Sequence, residues 1–143
     1  MKKTIFLSVL LAVGCATLDN NSLDWIPIGP EFHATDPAVI EVVSSRKEIT
    51  RAYGTIGLLR VRNLKPGRDS LKYGVERGRK FIAGKGADAM LLGQYNSAAE
   101  GDLDPRVTLV IYAIKYMDTM TEKDQKAIED FEVLGILDEQ NIE

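Results

Sequence analysis

The sequence DSLKYGVERGRKFIAGK, residues 69–85, decides the fold of this chain because it is the clearest amphipathic helix in it. Apolar or small residues recur along one side at spacings of three and four, the pattern of a helix with one buried face. They are Leu71, Val75, Gly78 and Ile82, with Gly74 and Phe81 beside them. Glycine inside a helix costs nearly 1 kcal/mol per residue. We therefore expect this helix to lie close against a sheet.

Four strand-like segments surround the helix, two before it and two after it. They are residues 39–43, Tyr53 to Arg62, Ala87 to Tyr95 and Val107 to Met117. The last segment is richest in β-branched and aromatic residues, and its long apolar run indicates a central strand. A further helix begins near Thr121. The predicted fold is α+β: one helix packed on a small, mostly antiparallel β-β-α-β-β sheet, plus a C-terminal helix.

Residues 16–37 differ in composition from the rest of the chain. They are rich in Pro and Asn and contain acidic residues but no Lys or Arg. Residues of this kind interrupt regular elements. The sequence therefore predicts a flexible tether at 15–37, a domain at 38–118, and a last helix with an acidic tail at 119–143. Trp25 and Ile26 are exceptions, and they either dock on the domain or contact the membrane interface or a partner.

The N-terminus has the layout of a secretory signal peptide. Lys2 and Lys3 precede an apolar run at 5–13, and the small residues Ala12, Val13 and Gly14 precede the only cysteine, Cys15. This order resembles the lipobox of bacterial lipoproteins. The resemblance implies a signal peptide at 1–14, cleavage before Cys15, lipid on its sulfur and acylation of the new amino terminus. Ala16 after the cysteine, rather than Asp, implies anchoring in the outer membrane, facing the periplasm.

Two other interpretations of the N-terminus compete with the lipoprotein. A membrane-spanning helix needs about 20 apolar residues, and the polar sequence at 19–22 comes too early for one. A secreted protein with a coincidental cysteine is the other alternative. One acyl chain holds a protein weakly, whereas several hold it stably. Once Cys15 is lipidated no thiol remains for a disulfide, so stability must come from packing.

Two short motifs in the middle of the chain carry a family resemblance. YGTIG at 53–57 lies on a predicted strand, and GADAM at 86–90 leads from the helix into the next strand. This pattern resembles small envelope lipoproteins of the Rcs stress-sensor type and the YbjQ-like domains. The resemblance implies a helix packed on a mostly antiparallel sheet, and a sensory or assembly role. Unlike the sensor type, this chain has no cysteines for structural disulfides, and it adds a C-terminal helix.

The sequence offers no recognisable catalytic or metal-binding group. His33 is the only histidine, so the domain lacks a base for a Ser or Cys nucleophile and lacks ligands for zinc. The metal-binding label of some YbjQ-like domains therefore does not transfer. The acidic residues at 100–104 are expected to form a solvated loop. GKGADA at 84–89 imitates a dinucleotide fingerprint but ends a helix instead of opening one. We expect no cofactor, and a structural role for Asp88 as an acceptor of backbone N–H groups.

Charge is distributed unevenly along the chain. Residues 46–85 contain twelve Lys and Arg residues against three acids, and the balance reverses from Asp88 onward. Either the acidic C-terminal helix neutralises the basic segment, or the basic segment binds an anionic partner. The candidate partner-binding residues are Arg68, Lys72, Arg79 and Lys80. The partner would be an envelope protein or an anionic envelope polymer, and nucleic acid is not expected for an exported protein.

These observations favour a non-enzymatic binding, sensing or assembly module anchored to the outer membrane. One alternative is a subunit of a larger envelope machine, docked through its C-terminal helix. The other is a cell-wall or lipid hydrolase that works through carboxylates. The hydrolase would require two acids about 5–9 Å apart in a deep pocket.

Overall fold

The structure, a computed structural model, describes residues 22–96 and 103–139, so the predicted signal peptide and Cys15 lie outside it. The described residues form an α+β fold with a C-terminal helix, as predicted. Short 3-10 helices occur at Pro37–Val39, Arg46–Glu48 and Met117–Thr119. The main elements are β1 (Leu23–Pro27), β2 (Glu41–Val43), β3 (Tyr53–Leu64), α1 (Arg68–Gly84), β4 (Ala89–Asn96), β5 (Val107–Tyr116) and α2 (Glu122–Glu139).

The strands form one sheet in the order β1-β3-β5-β4-β2. Neighbouring strands are antiparallel except for β2 and β4, which are parallel. The sheet is therefore mostly antiparallel, as expected. β5 occupies the centre, and its residues Leu109, Ile111 and Ile114 are fully or almost fully buried. This confirms the prediction drawn from its long apolar run.

The prediction of a flexible tether is wrong for residues 23–37. Leu23–Pro27 forms an edge strand whose register on β3 pairs Trp25 with Leu59. After β1, Thr35 donates hydrogen bonds from its backbone to Ala83 and from its hydroxyl to Ala87, at 2.9 Å and 2.6 Å. Pro27, one of the prolines that suggested a tether, is the last residue of β1, and an edge strand tolerates proline. The chain thus joins the fold at β1, well before residue 38.

The helix α1 packs tightly against the sheet, as its glycines predicted. Gly74, Gly78 and Ile82 are buried on its inner face. A Cβ added to Gly74 would lie only 2.7 Å from Cδ1 of Leu64. Because the sheet comes this close, a side chain at Gly74 or Gly78 would require Leu64 or Ile111 to shift. The helix begins after Gly67 without a side-chain cap, although Asp69 and Ser70 are residue types that can cap a helix start.

The helix α2 packs on the same face of the sheet as α1. Ile128 of α2 is 1% exposed and lies directly over Gly54 of β3. Gly54 pairs with Lys115, which lies on the same face of β5 as the core residues Ile111 and Ala113, because side chains two positions apart on a strand share a face. We call the opposite face, which carries Leu58, Val110 and Tyr112, the open face. Neither described helix is both long and apolar enough to cross a membrane.

Candidate functional site

A group of interacting polar side chains lies at the end of the sheet where β4 begins and β5 ends. We call it the polar cluster, and we call this end of the molecule the distal end. Gly86, with φ of +82°, terminates α1 sharply and turns the chain toward β4. Its near neighbour Asp88 then reaches across to β5. The cluster consists of Glu41, Arg51, Asp88, Lys115, Tyr116 and Thr119.

Asp88 is the centre of the polar cluster. Its carboxylate accepts hydrogen bonds from Nζ of Lys115 at 2.9 Å, from the backbone N–H of Tyr116 at 3.0 Å and from the hydroxyl of Thr119 at 2.8 Å. Burial would raise the pKa of Asp88, but these hydrogen bonds outweigh it and place the pKa below its ordinary value. The hydrogen bond from the backbone N–H of Tyr116 agrees with the predicted structural role of Asp88. Its donor lies on β5 and not in the turn between α1 and β4.

Tyr116 links the remaining members of the cluster. Its hydroxyl donates a 2.6 Å hydrogen bond to Glu41, and the guanidinium of Arg51 stacks 3.8 Å from the centre of its ring. Burial, followed by the hydrogen bond to Glu41, raises the pKa of Tyr116 to about 12. Arg51 also forms an ion pair with Asp118 at the surface. The phenol therefore remains protonated and serves as a donor at physiological pH.

The polar cluster borders a shallow hollow of about 230 Å³. Both carboxylates of the cluster, Glu41 and Asp88, line it. Asp88 already accepts three hydrogen bonds and has a lowered pKa, so it is suited to carrying negative charge and not to donating a proton. This hollow is a candidate place for the chemistry of the hydrolase alternative, because two carboxylates line it. The hydrogen bonds also tie β2, β4 and β5 together at this end.

The predicted binding residues lie along the exposed side of α1. Arg68, Lys72 and Arg79 are separated by four and seven residues, which puts them on one flank of the helix. Lys80 is exposed but points further round the helix. Arg79 is partly covered and forms a 3.4 Å ion pair with Glu76. We call Arg68, Lys72 and Arg79 the basic flank.

The basic flank adjoins apolar side chains near the start of α1. A shallow hollow of about 580 Å³ is lined there by Arg68, Asp69, Leu71, Lys72 and Val75. Leu71 and Val75 are only partly buried. This surface therefore combines positive charge with accessible apolar area, whereas the more distant Arg79 lies outside the hollow.

The open face carries a row of apolar side chains that are buried or partly buried. Leu58 of β3 pairs across the sheet with Tyr112 of β5, which in turn pairs with Leu91 of β4. A hollow of about 330 Å³ beside this row is lined by Gly93, Val110 and the segment 44–46, together with residues of the row.

Metal ligands do not gather in the part of the chain that the structure describes, where no three His, Cys, Asp or Glu side chains converge. His33, expected in the tether, is exposed and lies beside the turn at Gly86, whose added Cβ would come within 2.6 Å of the His33 carbonyl oxygen. Part of the acidic loop at 100–104 lies outside the described residues.

Most of the polar cluster could not be recognised from the sequence. Glu41, Arg51 and Tyr116 come from distant segments, and only Asp88 belongs to a recognisable motif. The one signal that could have found the cluster is Lys115, a charged residue inside an otherwise apolar β5. A buried lysine needs a partner, and this lysine is 7% exposed.

Comparison with known proteins does not place this chain in a family. No family model and no curated protein matches this chain. Among solved structures, it is similar to the crystal structure of a Francisella virulence factor, FvfA, in the orthorhombic form. The two chains are 20% identical, with a TM-score of 0.49, over 65% of this chain and 96% of that one.

Proposed function

We propose that this protein is a lipoprotein of the bacterial outer membrane that faces the periplasm and acts as a non-enzymatic binding, sensing or assembly module. The observation that carries the proposal is the N-terminal sequence, in which a basic pair, a short apolar run and small residues lead to Cys15. Every described strand and helix begins after Cys15. Cleavage before Cys15 therefore removes no described element of the fold.

The short distance between the lipidated residue and the sheet also supports this proposal. Leu23 is eight residues after Cys15 and already belongs to β1. A fully extended chain spans about 3.3–3.6 Å per residue, so at most about 28 Å separates Cys15 from β1. The domain would thus be held close to the membrane and presented in a restricted set of orientations.

Two surfaces support a binding role. The basic flank of α1 offers positive charge to an anionic envelope component, and the open face offers an apolar row to a protein. The side chains of the basic flank lie outside the buried core, and Leu58 and Tyr112 of the open face are only partly buried. The polar cluster, by contrast, satisfies its own charges internally, which is the reason that we place the hydrolase alternative second.

Lipidation is tested by intact mass measurement of the mature protein from membranes. We expect a chain that begins at Cys15 and carries acyl groups, and we expect Cys15→Ser to leave the protein unlipidated and released from the membrane fraction. Ala16→Asp is the matched control, because it keeps the lipidated cysteine and is expected only to change the membrane to which the protein is sorted. A mature chain without lipid would overturn the proposal.

The binding role is tested by photo-crosslinking in cells, with the crosslinker placed in turn at Lys72, Leu58 and Glu129. These positions represent the basic flank, the open face and the exposed side of α2. One reproducible product from one position supports a binding module and identifies the surface. A product from Glu129 alone favours the machine-subunit alternative, and the absence of products from all three positions contradicts the binding role.

A further inference from the structure

The chain joins the sheet at the end of the molecule opposite to the polar cluster. The backbone carbonyl of Ser22 accepts a 2.9 Å hydrogen bond from the amide of Arg62 near the end of β3. The β3–α1 turn and the start of β5 lie at the same end, because Leu64 pairs with Val107. We call this the proximal end. The 12 residues of β3 separate it from the distal end by about 35 Å.

The proximal end exposes an apolar side chain of unusual accessibility. Leu103, between β4 and β5, is fully exposed. It lies four residues before Val107, the first residue of β5. Moving a large apolar side chain from water into an apolar phase lowers its free energy. Leu103 contributes nothing to the core of its own domain.

Leu103 lies between two acids in sequence, Asp102 and Asp104, and basic side chains lie on the neighbouring β3–α1 turn and the start of α1. The described ion pairs join Arg62 to Asp24 and Arg106 to Asp104, and they leave Lys65, Arg68 and Lys72 exposed to solvent. Arg106 also reaches the backbone carbonyl of Asn63 in the β3–α1 turn, at 3.4 Å, which links this turn to the segment that carries Leu103. The hollow beside Arg68 and Lys72 adds the accessible side chains of Leu71 and Val75.

We propose that the proximal end docks on the lipid surface, with Leu103 entering the interface and Lys65, Arg68 and Lys72 contacting anionic lipid phosphates. This inference rests on the proposed lipid anchor, and it gives the Arg68–Lys72 part of the basic flank a specific ligand. Two observations favour lipid as the occupant: the proximal end lies within about 28 Å of Cys15 along the chain, and its combination of exposed leucine and cations matches an anionic headgroup layer.

This docking fixes which surfaces remain accessible to partners. With the proximal end on the membrane, β3 extends away from the bilayer and carries the polar cluster about 35 Å from the proximal end. The open face and the outer part of α1, including Arg79 and Lys80, are then roughly perpendicular to the membrane plane and accessible from the periplasm. The anchor thus determines orientation as well as location.

The test uses the mature lipidated protein reconstituted in vesicles of phosphatidylethanolamine and phosphatidylglycerol. Leu103→Cys and Val39→Cys are each labelled with an environment-sensitive fluorophore; Val39 is an exposed residue at the distal end and serves as the matched control. We expect a blue-shifted, brighter emission from position 103 that lipid-borne quenchers reduce, and water-like emission from position 39. In phosphatidylcholine vesicles the signal at 103 should weaken.

Charge reversal provides a second measurement. The triple variant Lys65→Glu, Arg68→Glu, Lys72→Glu should shift the docking equilibrium roughly 100-fold toward the undocked state. Lys123→Glu with Lys126→Glu on α2 is the control for added negative charge. If the protein floats with the vesicles but position 103 reports water, or reports the same environment as position 39, docking is refuted and the lipid anchor stands. If the protein carries no lipid and does not float, the proposed function itself is refuted.

Discussion

The indole ring of Trp25 lies against the bare backbone of Gly57, in the space that a Cβ of residue 57 would occupy. The ring also packs 5.7 Å from Phe81 of α1, so it connects the edge strand to the helix. Gly57→Ala should therefore displace the ring, loosen β1 and destabilise the fold by about 1–3 kcal/mol. Trp25 is the only tryptophan, so its fluorescence during urea unfolding reports directly on β1.

The matched control for this substitution is Gly84→Ala. Nothing lies within 4 Å of a Cβ added at Gly84, which ends α1. Alanine there should be neutral or stabilise the protein by about 0.5–1 kcal/mol through the unfolded state. Equal unfolding midpoints for Gly57→Ala and the unmodified protein would show that Trp25 does not anchor β1.

The ion pair between Asp88 and Lys115 should contribute measurably to stability. Its side chains are 17% and 9% exposed, and removing one partner of such a pair leaves the other charge poorly solvated. We expect Asp88→Asn to lower the free energy of unfolding by about 2–4 kcal/mol. Asp118→Asn, which breaks the exposed pair with Arg51, is the control and should change the free energy of unfolding far less, because solvent screens exposed pairs.

The contribution of Asp88 should depend on pH in a defined direction. Its pKa is lowered in the folded state, so the folded protein binds fewer protons than the unfolded chain as the carboxyl titrates. The stabilisation is then complete above the unfolded pKa of about 3.9 and is lost as pH falls through the lower folded value. Urea unfolding at a series of pH values should show the difference between Asp88→Asn and the unmodified protein shrinking below about pH 4. A constant difference would contradict the assignment.

Tyr116 should titrate later than an ordinary tyrosine. Its pKa of about 12 lies above the usual value of about 10, so its stabilising effect is present below about pH 10 and disappears as pH rises toward 12. Ultraviolet absorbance should show a late-ionising phenol in the unmodified protein that is lost in Tyr116→Phe. We expect that variant to lose about 1 kcal/mol of stability, because the bond to Glu41 is removed.

Reversing charge along α1 should separate binding from folding. We expect the triple variant Lys72→Glu, Arg79→Glu, Lys80→Glu to abolish binding to an anionic partner without unfolding the domain, since none of these side chains belongs to the core. Crosslinking yield measures binding, and circular dichroism measures folding. Unchanged binding by a folded variant would eliminate the basic side of α1 as the contact surface.

The elements with strong periodicity could be predicted from the sequence. The helix at 69–85 is evident because its small and apolar residues follow the helical period, and the central position of β5 follows from its long apolar run. The last helix is predicted to begin near Thr121, and the Thr121 hydroxyl does accept a hydrogen bond from the backbone N–H of Asp124 at 3.3 Å, which is how a residue caps a helix. In each case the pattern that predicts the element consists of residues close to one another in the sequence.

Features created by distant residues could not be predicted in this way. The strand β1 is only five residues long, and what holds Trp25 in place is the absence of a side chain at Gly57, 32 positions later. The polar cluster likewise depends on Glu41 and Tyr116 meeting across the sheet. A local pattern carries no information about which glycine or which carboxylate will be opposite a given side chain.

If the chain is exported as we propose, its strand order has a consequence for how it can acquire its structure. β5 is the last strand in the sequence, yet it forms the pairings with both β3 and β4 that join the two halves of the sheet. A chain that emerges from its N-terminus first therefore leaves β1 to β4 without their central partner until about residue 116 has crossed. Exposed strands of this kind aggregate readily. We expect this protein to need a periplasmic holding chaperone through most of its translocation.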